Sequence, residues 1–258
     1  MSIENILINV ADVQRSVDFY TSFLGAQVVG DVTGERAELD LVTATIRLVR
    51  ATGTVPSTWI GDDLQRGFRH IGFKVAEVDP LVEVLDEAGV SFHLRPIDAE
   101  GGVRITFFFD PDGTLLELVS GDIQYHDIAD QAGVAKERAL GIPDRPRFDH
   151  VAVTSASLQS AEEFYAPFGF GRIGSIHQPQ DPRGFEIDYL KGGDTVLEVF
   201  TFGDPETFRP PQLDALGFVC VDLSPESGAG SGTAPLGTAS DGRAVYSDAD
   251  GLLYSISR

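Results

Sequence analysis

Cysteine is almost absent: Cys220 is the one thiol in 258 residues. One cysteine rules out an internal disulfide, so packing alone has to hold the fold, and the expected compartment is a reducing cytoplasm. Cys220 lies in the apolar run 216–221 and reads as a buried thiol rather than a nucleophile. Long apolar runs are missing as well, since nothing approaches the roughly 18–20 residues of a membrane span. The opening Met1-Ser2-Ile3-Glu4-Asn5 lacks the basic region and apolar core of an export signal. Positive charge is scarce: 19 Lys and Arg face 40 Asp and Glu, a net charge of −21 that argues against nucleic acid and anionic membrane partners.

Apolar material is plentiful. Hydrophobic residues make up 42% of the chain, 17 of them Phe, which is enough for substantial cores in two ordinary domains or one large one. The strongest signal is a repeat. Phe68-Arg69-His70-Ile71-Gly72-Phe73-Lys74-Val75 returns as Arg147-Phe148-Asp149-His150-Val151-Ala152-Val153. Each copy leads, about fifty residues on, to an apolar strand broken by one carboxylate: Glu117 in the first case, Glu198 in the second.

Periodicity and punctuation divide the chain into four βαβββ-type units, near 3–50, 68–120, 147–202 and 213–258. In the first, Asp12 is placed to cap a helix over 14–24 that Gly25 ends. In the second, a helix over 80–88 stops at Gly89, and Asp110-Pro111-Asp112-Gly113 marks a tight turn before the last strand. In the third, Ser157 caps a helix expected to run through Phe168. The fourth has the Gly- and Ser-rich stretch 224–232 where a helix belongs, so that unit is expected to have lost its helix. Residues 123–146 form a linker with a short helix over 128–140, leaving 1–122 and 147–258 as the two expected domains.

The pattern Val10-Ala11-Asp12-Val13-Gln14-Arg15-Ser16-Val17-Asp18-Phe19-Tyr20…Leu24-Gly25, with Asp110-Pro111-Asp112-Gly113…Glu117-Leu118, resembles the vicinal oxygen chelate superfamily. That superfamily includes glyoxalase I, methylmalonyl-CoA epimerase, extradiol dioxygenases and bleomycin-resistance proteins. The resemblance implies an α+β fold in which paired βαβββ modules form two cupped mixed sheets with helices outside. It also implies two metal positions per unit, one in the first strand and one in the last. These map to Asn5 and Arg47, His70 and Glu117, His150 and Glu198, and Ala215 and Ser255. Pairing first with second and third with fourth would split the ligand set. Pairing second with third and first with fourth would gather His70, Glu117, His150 and Glu198 in one cup and leave the other without metal, and this nested arrangement is the one expected.

Such a site would take one divalent transition metal: Zn, Ni, Co, Mn or Fe. An ionised carboxylate among apolar neighbours is costly unless paired or bound to a metal, which agrees with that role for Glu117 and Glu198. The reaction expected from the resemblance is glyoxalase- or epimerase-like proton transfer on a small hydroxy-carbonyl substrate, with Glu117 or Glu198 as base. A ring-cleaving dioxygenase and a metabolite- or drug-binding protein are the alternatives; in the latter, Phe107-Phe108-Phe109, Phe185 and Tyr189 would line the groove. One chain supplies all four groups, so a monomer suffices for the site and a dimer stays open.

Overall fold

The computed structural model describes residues 2–53, 55–57, 61–178, 180–204, 206–208, 212–225 and 234–257. The first unit comprises β1 (Ile3–Val10), α1 (Val13–Leu24), β2 (Gln27–Val29), β3 (Arg36–Asp40) and β4 (Thr45–Arg50). The second comprises β5 (Gly67–Lys74), α2 (Asp79–Glu87), β6 (Phe92–Ala99), β7 (Val103–Phe109) and β8 (Leu115–Ser120). A bridge of β9 (Asp127–Ile128) and α3 (Gln131–Ala139) leads to the third: β10 (Arg147–Thr154), α4 (Leu158–Tyr165), β11 (Gly171–His177), β12 (Glu186–Gly192) and β13 (Thr195–Thr201). The fourth has β14 (Gly217–Leu223), β15 (Gly237–Thr238), β16 (Ala244–Ser247) and β17 (Leu253–Ile256). Most of the stretch expected to have lost its helix, residues 226–232 of 224–232, lies outside the described residues.

Local chemistry sets the helix ends. Asp12 accepts a hydrogen bond from the Arg15 N–H at 3.0 Å, and Gly25 adopts the left-handed φ of 58° that closes α1. Ser157 caps α4 in the same way. The helix expected through Phe168 ends sooner: Pro167 has no N–H to continue the ladder, and Ala166–Phe168 tighten into a 3-10 turn. None of the described helices is long and apolar enough to cross a membrane.

The strands form two mixed sheets with nested pairing. One runs β6-β7-β8-β5-β10-β13-β12-β11-β9 and joins the second unit to the third; the other runs β15-β16-β17-β14-β1-β4-β3-β2 and joins the first to the fourth. Neither sheet is confined to 1–122 or to 147–258; each takes one unit from either side. The linker is not wholly outside the sheets, because β9 pairs along β11 at Gly174↔Ile128 and Ser175↔Asp127.

Alternation along the strands places the core. Ile6, Ile8 and Val10 of β1 and Ile71 and Phe73 of β5 join one apolar cluster with Tyr20, Phe148 and Tyr165, while Leu7 points the other way into a small cluster with Cys220 and Val245. The DPDG turn ties the two sheets together. Asp112 accepts from the Ala11 N–H at 3.1 Å and the Arg15 guanidinium at 2.6 Å, and Tyr20 donates to Asp110 at 2.9 Å. The fourth unit repeats the device, with Tyr165 donating to Asp248 at 2.6 Å and the Ala156 N–H to Asp250 at 3.1 Å.

Candidate metal centre

β5, β8, β10 and β13 are adjacent in the larger sheet, and each turns one functional side chain to the face opposite the core. On β5, Ile71 and Phe73 enter the core, so His70 and Gly72 face away from it; on β10, Val151 and Val153 enter, so His150 and Ala152 face away. Leu116 and Leu118 do the same for Glu117, and Leu197 and Val199 for Glu198. Register completes the arrangement. Gly72 lies opposite both His150 and Glu117, and Ala152 lies opposite both His70 and Glu198. The His150 imidazole lies over Gly72, and the residue opposite His70 is the small Ala152.

The four groups chosen from the sequence meet. One ligand atom from each of His70, Glu117, His150 and Glu198 lies within 4.8 Å of all the others, and no second such group of His, Cys, Asp and Glu occurs among the described residues. The His70 and His150 Nε2 atoms are 3.2 Å apart. Glu117 Oε2 sits 2.9 Å from His150 Nε2 and 3.3 Å from His70 Nε2; Glu198 Oε2 sits 3.4 Å and 3.7 Å from the same atoms. All four residues are buried.

Electrostatics in this cluster are severe. Burial raises the Glu117 carboxyl, but hydrogen bonding to His150 and His70 outweighs it and holds the group well below the usual carboxylate range. Burial pushes His150 down, while the Glu198 charge and hydrogen bonds to Asp149 and Glu117 carry it well above its ordinary value. Asp149, next in the chain, takes the other ring nitrogen: His150 Nδ1 is 3.1 Å from Asp149 Oδ2. Burial raises the Asp149 carboxyl, but the hydrogen bond and charge of His150 outweigh it and leave the group below its ordinary value. A carboxylate behind a ligating imidazole fixes its tautomer and orientation. Asp149 was not among the residues singled out from the sequence.

Two buried carboxylates and two imidazoles converge here, and among the described residues no Lys or Arg hydrogen-bonds to Glu117 or Glu198. Two nitrogen and two oxygen donors converging within 4.8 Å fit a divalent transition ion, whose charge would replace that of the proton His150 carries between the carboxylates. Phe107 packs edge-on against His70 at 4.8 Å between ring centroids, and Phe200 approaches it at 6.3 Å. A cavity of about 230 Å³ opens beside His70. Phe107 lines it, whereas Phe108 is in the core and Tyr189 packs on Tyr125. His177, on β11, pairs with Asp127 and Glu186.

Among the described residues the smaller sheet carries no equivalent set, and Ala215 does not hold the position expected of it. By register, Leu7 pairs with Cys220 and Arg47, and Asp222 pairs with Asn5 and Ser255. The position matching His150 is therefore Cys220, not Ala215, which lies before β14 in an isolated bridge to Val55. β14 begins at Gly217, so Ala215 lies ahead of the strand rather than in it, and an eroded unit offered no helix to anchor the register. Burial pushes the Cys220 thiol up to about 12. Arg47 is held by Asp241 at 3.0 Å, with Asp222 at 3.8 Å.

The family model for the glyoxalase/bleomycin resistance protein/dioxygenase superfamily matches residues 2–118. An uncharacterized protein of Bacillus subtilis, YwkD, is 32% identical over 122 residues, which is 45% of this chain and 94% of that protein. Glyoxalase I from Zea mays superposes with a TM-score of 0.64 at 17% identity, covering 99% of this chain and 91% of its own. A Bacillus subtilis protein described as a candidate dioxygenase superposes with a TM-score of 0.59 at 15% identity, covering 99% of this chain and 84% of its own.

Proposed function

The chain belongs to the glyoxalase/bleomycin resistance protein/dioxygenase superfamily, and from that premise we propose that it is a metal-dependent lyase or isomerase that moves a proton at the carbon beside a carbonyl of a small hydroxy-carbonyl substrate. The observation that carries the proposal is the convergence of His70, Glu117, His150 and Glu198 to within 4.8 Å. These residues would hold one divalent ion, Zn, Ni, Co, Mn or Fe, which when bound supplies Lewis acidity to adjacent substrate oxygens.

Proton movement falls to the carboxylates. Glu117 and Glu198 come from different units on opposite flanks of the imidazole pair. One takes the proton from the acidified C–H and the other is placed to return one, as a lyase or epimerase requires. The Glu198 oxygen makes the longer contacts, 3.4 Å and 3.7 Å, so it is the freer of the two to act as base. Asp149 keeps the His150 ring in place, and Phe107 and Phe200 wall the cluster against water, which limits loss of the carried proton to solvent. Four protein donors leave fewer positions open than two histidines with one glutamate would, and this favours proton transfer over ring cleavage with O₂.

The test is solvent deuterium incorporation into an α-hydroxy-carbonyl substrate. The wild type should catalyse exchange, and Glu117→Gln and Glu198→Gln should each slow it by at least about a hundredfold. Undiminished catalytic exchange in both variants removes the mechanism. Oxygen uptake with catechols would instead identify the ring-cleaving alternative.

A further inference from the structure

The cavity beside His70 is small, and among the described residues lining it the one guanidinium is already paired. Phe107, Leu94 and Leu115 form its apolar wall; Asp62, Asp63 and Arg69 supply charge. Among the described residues lining it, Arg69 is the one Arg or Lys. Both of its terminal nitrogens are engaged, and its Nε is buried without a partner. The guanidinium donates to Asp63 O and Asp63 Oδ1, each at 2.8 Å, and to Thr154 Oγ1 at 3.1 Å, with its face 4.2 Å above the Phe200 ring.

The second cation at this rim is Arg183, from the β11–β12 connection. Its Nη1 donates to Asp63 Oδ2 at 2.8 Å, and its Nε and Nη2 donate to Asp181 at 2.9 Å and 2.6 Å. Asp63 thus holds one guanidinium on each carboxylate oxygen and joins the second unit to the third across the mouth. Arg69 and Arg183 are balanced by Asp63 and Asp181, and Asp62 leaves the group one charge negative.

We infer that the substrate of this site is a compact, uncharged hydroxy-carbonyl compound with an apolar flank, and that Asp63 sets this selectivity by engaging both guanidiniums that could otherwise greet an anionic tail. The inference rests on the metal-centre proposal above. A carboxylate or phosphate entering the cavity would compete with Asp63 for the terminal nitrogens of Arg69 and would still meet Asp62. Size agrees: about 230 Å³ is below the roughly 300–1,000 Å³ of pockets that enclose drug-sized ligands. Phe107, Leu94 and Leu115 suit an aliphatic or single-ring substituent.

The experiment uses untagged full-length protein loaded with Co²⁺, read by its visible absorption. Two probes with the same metal-binding group are titrated: 4-carbamoylbenzohydroxamic acid and 4-carboxybenzohydroxamic acid, near-identical in shape and different by one charge. The carbamoyl probe should bind at least about fivefold tighter. In Asp63→Asn and Asp63→Ala, the ratio should shift at least about fivefold towards the carboxylate probe, because Arg69 and Arg183 lose a shared counter-charge. Equal or tighter binding of the carboxylate probe by the wild type overturns the inference, as does an unchanged ratio in variants that fold and hold cobalt. Should both variants fail to fold, the wild-type preference decides. Cobalt that binds while neither probe moves its spectrum overturns the inference alone; failure to bind cobalt sinks the metal-centre proposal and this inference with it.

Discussion

Gly72 lies directly opposite His150 across the β5–β10 pair, and the His150 imidazole fills the space that a Cβ on Gly72 would occupy. The absence of a side chain at this one position lets the ring lean over the neighbouring strand and reach the other three groups.

Gly72→Ala should therefore damage the centre while leaving the fold. The new methyl group overlaps the ring, so the imidazole or the backbone must move, with a stability cost of about 1–3 kcal/mol for overpacking. Metal affinity should fall by at least about tenfold, the scale on which a disturbed ligand orientation is felt. Competitive chelator titration alongside thermal melting checks this. A variant melting lower but binding metal as the wild type does would show that the ring position is unimportant.

Metal binding should release protons. In the metal-free protein the Glu198 charge and the hydrogen bonds to Asp149 and Glu117 outweigh burial and keep His150 protonated well above its ordinary range. An ion has to displace that proton, so apparent affinity should rise with pH through neutrality, with release of about one proton per ion. Calorimetry in buffers of differing ionisation enthalpy measures the number directly. No net release, or affinity that falls as pH rises, would contradict this protonation state.

Much of this was legible because strands and repeats are regular. His70 and His150 occupy matching positions in a near-repeat, and alternation put Glu117 and Glu198 on faces whose apolar neighbours made a lone carboxylate conspicuous. The nested pairing followed from how those four residues are distributed. Asp149 was missed because the matching position before His70 holds Arg69, so the repeat gave no support; the adjacent charge itself was the available signal. Asp63 lies in the irregular stretch between β4 and β5, and its partner Arg183 is 120 residues away. No periodicity connects such residues. The two-residue β9 is likewise too short to show alternation.

The paired buried turns predict a pH effect on stability distinct from the metal centre. Burial pushes the Asp110 carboxyl up to about 6, against lowering by its hydrogen bonds to Thr114 and Tyr20. A raised folded value means that the contribution of this group to stability is fully present below its unfolded pKa and is lost as pH rises through about 6. Asp110→Asn keeps an acceptor for the Asp112 and Thr114 N–H groups without a charge to bury. Relative to the wild type it should gain about 2–3 kcal/mol between pH 4 and pH 7 in urea denaturation. A difference that stays flat over that range, or runs the other way, would contradict a raised Asp110.

The metal content of untagged protein, measured by plasma mass spectrometry before and after incubation with each of Zn²⁺, Ni²⁺, Co²⁺, Mn²⁺ and Fe²⁺, probes the four-residue centre most directly. About one equivalent per chain is expected for at least one of these ions, falling below about 0.1 equivalent when His150 and Glu198 are replaced together by Ala and Gln. Wild-type protein that holds under about 0.1 equivalent and takes up none of the five would contradict it.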